Sequence, residues 1–243
     1  MKISGGHATY GQEIGILMLD TLFPRLCGDI GNAYTFDFPV RYKIVKGAEP
    51  EKIMGYKPAP ELLRPFVDAA KDLEREGVKA LTTSCGFLAP FQRSIADSVN
   101  IPVFTSTLII VPLINNMLNS KQRIGIFTER AEYLTERHFQ GVGWSAKNIP
   151  VIVKGMKDNA TFPAIFIKNR RELDSEVLKQ EMGEMTDEFI HENHDVGAIV
   201  LECTNMCPFS RLIHDISSLP VFGIDTLMNF IYNSILPIEY MGS

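Results

Sequence analysis

Along the chain, short uninterrupted apolar runs alternate with stretches whose apolar residues recur at helical spacing. Residues 13–19 form the first such run and predict a buried strand. Residues 35–45 predict a second strand, bent or at a sheet edge because Pro39 interrupts it. Over residues 61–76, Leu62, Leu63, Phe66, Ala69, Ala70 and Leu73 mark one helical face, with Pro60 at the start and Gly77 at the stop. The run at 78–84 predicts the next strand. Further on come a strand at 123–127, a helix over 131–139, a strand at 149–153, an irregular loop through Asn169, a helix over 171–192 and a strand at 196–201. Parallel strands need long crossovers, usually helical, so this alternation predicts an α/β fold with mainly parallel sheets.

The pattern also repeats at the level of residues. Residues 78–104 lie without a gap over residues 196–222, and 11 of the 27 positions are identical, among them Cys85/Cys203, Pro90/Pro208, Phe91/Phe209 and Arg93/Arg211. Chance would give about two. The Ile14-Gly15-Ile16 of the first strand returns as Ile124-Gly125-Ile126, where a second unit should begin. The chain is therefore an internal duplication, and two related lobes facing each other would bring two thiols to one cleft.

Composition narrows the partners. With 243 residues, 45% hydrophobic and 22% charged, the chain can form one large or two small globular units. A net charge of -5 and no run of Lys or Arg give no nucleic-acid or anionic-membrane signature, which leaves a small molecule as the expected partner. The start lacks a signal-peptide core, and the longest apolar run, residues 108–114 around Pro112, is too short to span a bilayer. A cytoplasmic location is the expectation. Four cysteines in a chain of this size are expected to be free thiols.

Each matched cysteine ends an apolar strand, with a proline five residues later at a predicted helix start. This is the ligand crevice of an open α/β sheet, where unpaired N–H groups favour anions and should lower a thiol's pKa. Cys203 and Cys207 alone lack the closed ligand set of a zinc site, so Cys207 reads as loop and Cys27, which has no copy, as incidental. The five histidines are scattered, fall mostly on predicted surface faces and show no metal-ligand spacing; no phosphate-binding loop occurs. The polar residues near the strand ends, Thr83, Ser84, Thr204, Asn205, Thr128, Asp20 and Thr21, converge on one edge of both sheets as candidate ligand contacts.

At these positions the chain resembles the aspartate/glutamate racemase superfamily, which includes hydantoin racemases, maleate isomerases and arylmalonate decarboxylases. The resemblance rests on T-S-C-G at 83–86, I-G-I-F-T at 124–128, E-C-T-N at 202–205 and P-V-F-G-I-D at 220–225. It implies two pseudo-symmetric α/β lobes, residues 1–106 plus 225–243 and residues 107–224, with the C-terminal helix returning to the first lobe and an active site between them. It implies Cys85 and Cys203 as the catalytic pair, one removing a proton from carbon and the other delivering one to the opposite face, with no metal and no cofactor. Thr204 and Thr128 match substrate-binding positions, and a homodimer or higher homo-oligomer is implied without an identifiable interface.

Gly86-Phe87 and Thr204-Asn205 depart from the residues usual after the two cysteines in amino-acid racemases. Phe87 puts an apolar wall beside Cys85, and Asn205 cannot serve as a proton-transfer base. The leading expectation is a racemase or epimerase acting next to the carboxylate, or amide carbonyl, of a small acid. Decarboxylation or cis-trans isomerisation with one dominant cysteine, and simple ligand binding, stay open.

Overall fold

The structure, a computed structural model, describes residues 5–54 and 60–237. In the first half, β1 (Ile14–Leu19), β2 (Val40–Val45), β3 (Ala80–Thr83) and β4 (Val103–Phe104) form a parallel sheet ordered β2-β1-β3-β4. In the second, β5 (Arg123–Thr128), β6 (Val151–Gly155), β7 (Val196–Leu201) and β8 (Val221–Phe222) repeat that order as β6-β5-β7-β8. Helices cover both sheets, so β1, β3 and β7 are buried at every position, which is why they read as unbroken apolar runs. The edge strand β6 is only half-buried.

The helices of the first half are α1 (Pro50–Ile53), α2 (Leu63–Arg75), α3 (Gln92–Ala96) and α4 (Val111–Met117). Those of the second are α5 (Glu136–Gly141), α6 (Thr161–Phe166), α7 (Ser175–Glu192), α8 (Ser210–Ser217) and α9 (Ile224–Ile235). The stripe of α2 predicted from spacing, Phe66, Ala69, Ala70 and Leu73, is buried. Asp174 caps α7 by accepting from the Glu176 and Val177 amides.

The structure corrects several details. The strand expected over 35–45 is only Val40–Val45, since residues 33–35 form a 3-10 turn capped by Asn32 and Pro39 has no N–H for a ladder. The expected loop through Asn169 contains α6. Phe162, Ile165 and Phe166 of this helix are buried, and Glu181 accepts from its Thr161 and Phe162 amides at 2.5 and 2.9 Å. Six residues with a proline among them give too little periodicity to be read as a helix. The helix expected over 131–139 is a 3-10 turn followed by α5. His138, one of the histidines expected mostly on surface faces, is buried with its ring edge-on to Phe87, and its Nδ1 accepts from the Thr135 amide at 3.1 Å.

The halves interlock reciprocally around the duplicated prolines. Gly28 closes on Pro208 and Gly141 on Ala89 and Pro90, each so tightly that a Cβ would strike backbone. The Thr204 hydroxyl crosses to donate to the Ser84 carbonyl at 2.9 Å. Tyr232 of α9 stacks on Phe38 of the first half at 3.8 Å, and one apolar cluster runs through Ile14, Ile16, Phe127, Leu201 and Leu227. The carboxyl ends of β3 and β7 are thereby fixed opposite each other. Among the described residues no helix is long and apolar enough to cross a membrane.

Candidate active site

Cys85 and Cys203 each leave a buried strand in extended backbone and cap a six-residue 3-10 turn, Gly86–Phe91 and Thr204–Phe209. The prolines lie inside these turns, and α3 and α8 begin only after them. The first amides of a helical turn have no partner within it, and the Phe87 and Asn205 amides face the two sulfurs.

Both thiols line one narrow cleft between the lobes. Of the residues singled out in the sequence, Thr21, Ser84, Gly86, Phe87, Thr204 and Asn205 join them in its wall. Asp20, Thr83 and Thr128 do not. The Asp20 carboxylate accepts from the Gly47 amide at 3.1 Å, and the Thr83 hydroxyl donates to the Thr105 carbonyl at 2.7 Å. The Thr128 hydroxyl donates to Glu202 at 2.6 Å, acting from behind the wall. Cys27 is exposed and Cys207 is buried beside Asp225 and Gly223, both away from the cleft.

Sequence reasoning passed over three charged groups in or beside the cleft: Arg25, Glu129 and Glu202. Arg25 donates to Asp29 at 2.6 Å and to the Thr21 hydroxyl at 3.0 Å, and lies over the Phe23 ring. Glu129 and Glu202 are buried, and each has one oxygen with no hydrogen-bond partner. The duplication could have exposed them. Glu202 precedes Cys203 where Ser84 precedes Cys85, and Glu129 follows β5 where Leu19 ends β1, the Ile-Gly-Ile repeats setting the register. The two thiols are a matched pair, but their flanks are neutral in the first lobe and acidic in the second.

This asymmetry governs the protonation states. Burial raises the Glu202 carboxyl to about 7 against the Thr128 hydrogen bond, and burial together with Glu202 raises Glu129 well above the usual carboxylate range. Burial raises both thiols too, with Glu202 and Glu129 adding to the effect; Arg25 and the Phe87 amide oppose it at Cys85. The expected lowering of the thiol pKa is therefore corrected: two unpaired amides do not outweigh desolvation and two nearby carboxylates. The Cys203 thiol points at Glu129 Oε2 at 4.0 Å. Gly86 makes the close approach between lobes sterically open, because a Cβ there would collide with the Glu202 carboxylate and carbonyl.

Phe23, Phe166, Phe87, Leu19, Pro50 and Met54 supply the apolar wall, with Phe23 and Phe166 edge-to-face at 4.9 Å. A larger open groove between β6 and α7 is lined by Lys154, Lys157 and Glu188 and holds no thiol. Among the described residues no group of three or more His, Cys, Asp or Glu side chains is placed to hold a metal ion.

This two-lobed α/β fold is shared with solved racemase and decarboxylase structures. A glutamate racemase isoform from Bacillus anthracis superposes with a TM-score of 0.58 at 15% identity, covering 93% of this chain and 81% of its own. Unliganded arylmalonate decarboxylase superposes with a TM-score of 0.57 at 12% identity, covering 96% and 95%. No family model matches the chain. Sequence similarity places it more narrowly. A dimethylsulfoniopropionate lyase from Durusdinium sp. clade D is 30% identical over 216 residues, 86% of this chain and 70% of that protein. Dimethylsulfoniopropionate lyase 7 from Emiliania huxleyi is 27% identical over 222 residues, 89% of this chain and 65% of that protein. The chain belongs to the dimethylsulfoniopropionate lyase family, and it spans about two thirds of the length of these curated relatives.

Proposed function

We propose that the chain is a lyase that takes a proton from the carbon next to a carboxylate and expels a neutral group from the adjoining carbon, with dimethylsulfoniopropionate as the substrate. The observation that carries this reading is a pair of free thiols over one narrow, largely apolar cleft, in a chain of this family. Both the racemase expected from the sequence and the lyase begin with the same difficult step, ionisation of a carbon acid. They differ in the fate of the electron pair left on that carbon.

In the elimination, Cys85 first loses its own proton to solvent and then, as the thiolate, accepts the α-proton; the electrons of that C–H bond form the new double bond, and the bond from the β-carbon to sulfur breaks. The sulfonium leaves as neutral dimethyl sulfide and the remainder is acrylate. Arg25 and the amides beside Cys85 orient the substrate carboxylate, and exclusion of water strengthens their interaction with the charge that develops on it. Cys85 is the base because its thiolate is the one favoured by Arg25 and because it is the less buried of the two, so its proton can return to solvent. Racemisation needs a second group to reprotonate the opposite face, whereas elimination needs none. Cys203, turned toward Glu129, serves as a neutral donor.

Acrylate formation from dimethylsulfoniopropionate, followed by its vinyl proton signals, tests the assignment in the wild type, Cys85→Ser and Cys203→Ser. Cys85→Ser should lose about 10²–10⁴-fold in kcat, the usual weight of a general base, while Cys203→Ser keeps most of the activity. No acrylate from wild type overturns the lyase reading, and the reverse order of the variants moves the base to Cys203. The matched thiols favour racemisation as the second reading, which both variants would abolish equally on an exchanging amino acid.

A further inference from the structure

The acidic flank of the second lobe has no role in taking a proton from carbon, and a carboxylate beside a thiol base impedes it. Glu129 follows β5 with only 3% of its surface exposed, lines the cleft, and has Oε1 without a hydrogen-bond partner. Its other oxygen faces the Cys203 thiol, a weak donor, at 4.0 Å, and the Ile167 amide also acts on the carboxyl. The cation that acts on it, Arg130, lies outside the cleft and is engaged by Asp158. A buried carboxylate so poorly satisfied is costly unless something arrives to neutralise it. The same wall holds Phe166, whose ring has no hydrogen-bond donor and is set edge-to-face with Phe23, itself covered by the Arg25 guanidinium.

We propose that Glu129, with the Phe166 ring in the same wall, is the binding site for a methylated onium group, and that it selects substrates carrying a sulfonium or quaternary ammonium centre at the carbon β to their carboxylate. An onium has no N–H to give, so a carboxylate with no geometric demand and an apolar, aromatic surround suits it better than a set of hydrogen-bond acceptors. The inference rests on the lyase reading for the position of the reacting carbons, and it gives the cleft a direction. Arg25 acts on Cys85, and Glu129 touches Cys203. The substrate carboxylate therefore lies toward the first lobe, where Cys85 meets the α-carbon, and the leaving group toward the second.

Binding is coupled to protonation. In the empty cleft Glu129 is held above the usual carboxylate range by burial and by Glu202 at the end of β7, against Arg130 and the Ile167 amide that comes after α6, with the neutral thiols of Cys203 and Cys85 also in the wall. An onium that requires the ionised form displaces that proton as it binds.

The test uses two probes of the same shape in isothermal titration calorimetry: 3-(trimethylammonio)propionate and 4,4-dimethylpentanoate, its isostere without the onium charge. The wild type should bind the onium at least tenfold more tightly, and a series of buffers of different ionisation enthalpy should show proton release with the onium alone. In Glu129→Gln the preference and the proton release should both disappear while the isostere still binds, which also shows that the variant is folded. Equal affinity for the two probes in the wild type, no binding of either, or a preference that survives Glu129→Gln overturns the proposal. Selective onium binding without acrylate formation would overturn the lyase reading and leave this one standing; lyase activity with unchanged onium preference in Glu129→Gln would do the reverse.

Discussion

Replacing Glu202 by Gln changes the pH dependence of stability in a direction fixed by the fold. The carboxyl is fully buried, keeps one hydrogen bond from Thr128 and is carried by burial from 4.5 to about 7. Below pH 4.5 the folded and unfolded chains both hold the proton and the group is neutral to stability. Between 4.5 and about 7 the unfolded chain releases the proton and the folded chain keeps it, so stability falls as pH rises, and above that window the loss is complete. The full loss is about 3 kcal/mol, from 1.36 kcal/mol for each pH unit between the two values. Gln keeps the shape and the acceptor for Thr128 but has no proton to lose. Relative to wild type, Glu202→Gln should therefore be more stable at pH 8 than it is at pH 5, by about 2–3 kcal/mol. Urea denaturation of both proteins at the two pH values measures the difference. A variant whose stability relative to wild type is the same at pH 5 and pH 8 would refute the placement of a strained carboxyl behind the thiols.

Three other outcomes rest on the same geometry. Gly86→Ala forces a methyl into Glu202 across the lobe junction and should cost about 1–3 kcal/mol of stability, with at least tenfold lower activity, read by thermal melts and the acrylate assay. Thr204→Val removes the hydroxyl that spans to the Ser84 carbonyl and should cost about 1–3 kcal/mol in denaturant unfolding. His138, held neutral by burial down to about 4, should show ring proton signals that do not titrate between pH 8 and 5 in the folded protein.

The parts of this molecule legible in the sequence are those written twice or written periodically. The duplicated Cys-to-Phe segments gave the two lobes and the facing thiols, and continuous apolar strands gave parallel sheets, because burial on both faces leaves a pattern that no single contact can disguise. The irregular pieces were hidden. Helix α6 is held by Glu181 accepting from its first amides and by Phe162 and Phe166 in the core, contacts made by residues far away in the chain. The state of the thiols was hidden for a related reason. The rule that strand ends favour anions is local, whereas Glu129 and Glu202 reach both sulfurs only once β5 and β7 lie side by side and the lobes close. The same holds for Thr83 and Asp20, whose positions pointed to the cleft but whose side chains are spent on the Thr105 carbonyl and the Gly47 amide. A closer comparison of the two copies, asking where they differ as well as where they agree, would have drawn attention to the acidic flank.

The central claim is that this two-thiol cleft performs elimination and not inversion, and one vessel decides it. Dimethylsulfoniopropionate is incubated with the protein in deuterium oxide and monitored by proton NMR. The account predicts that the substrate methylene signals decline as vinyl signals of acrylate and the methyl signal of dimethyl sulfide grow in equal amounts. Recovered substrate that carries deuterium at the carbon next to the carboxylate, with no vinyl signal, would show proton exchange without expulsion of the leaving group and would contradict it.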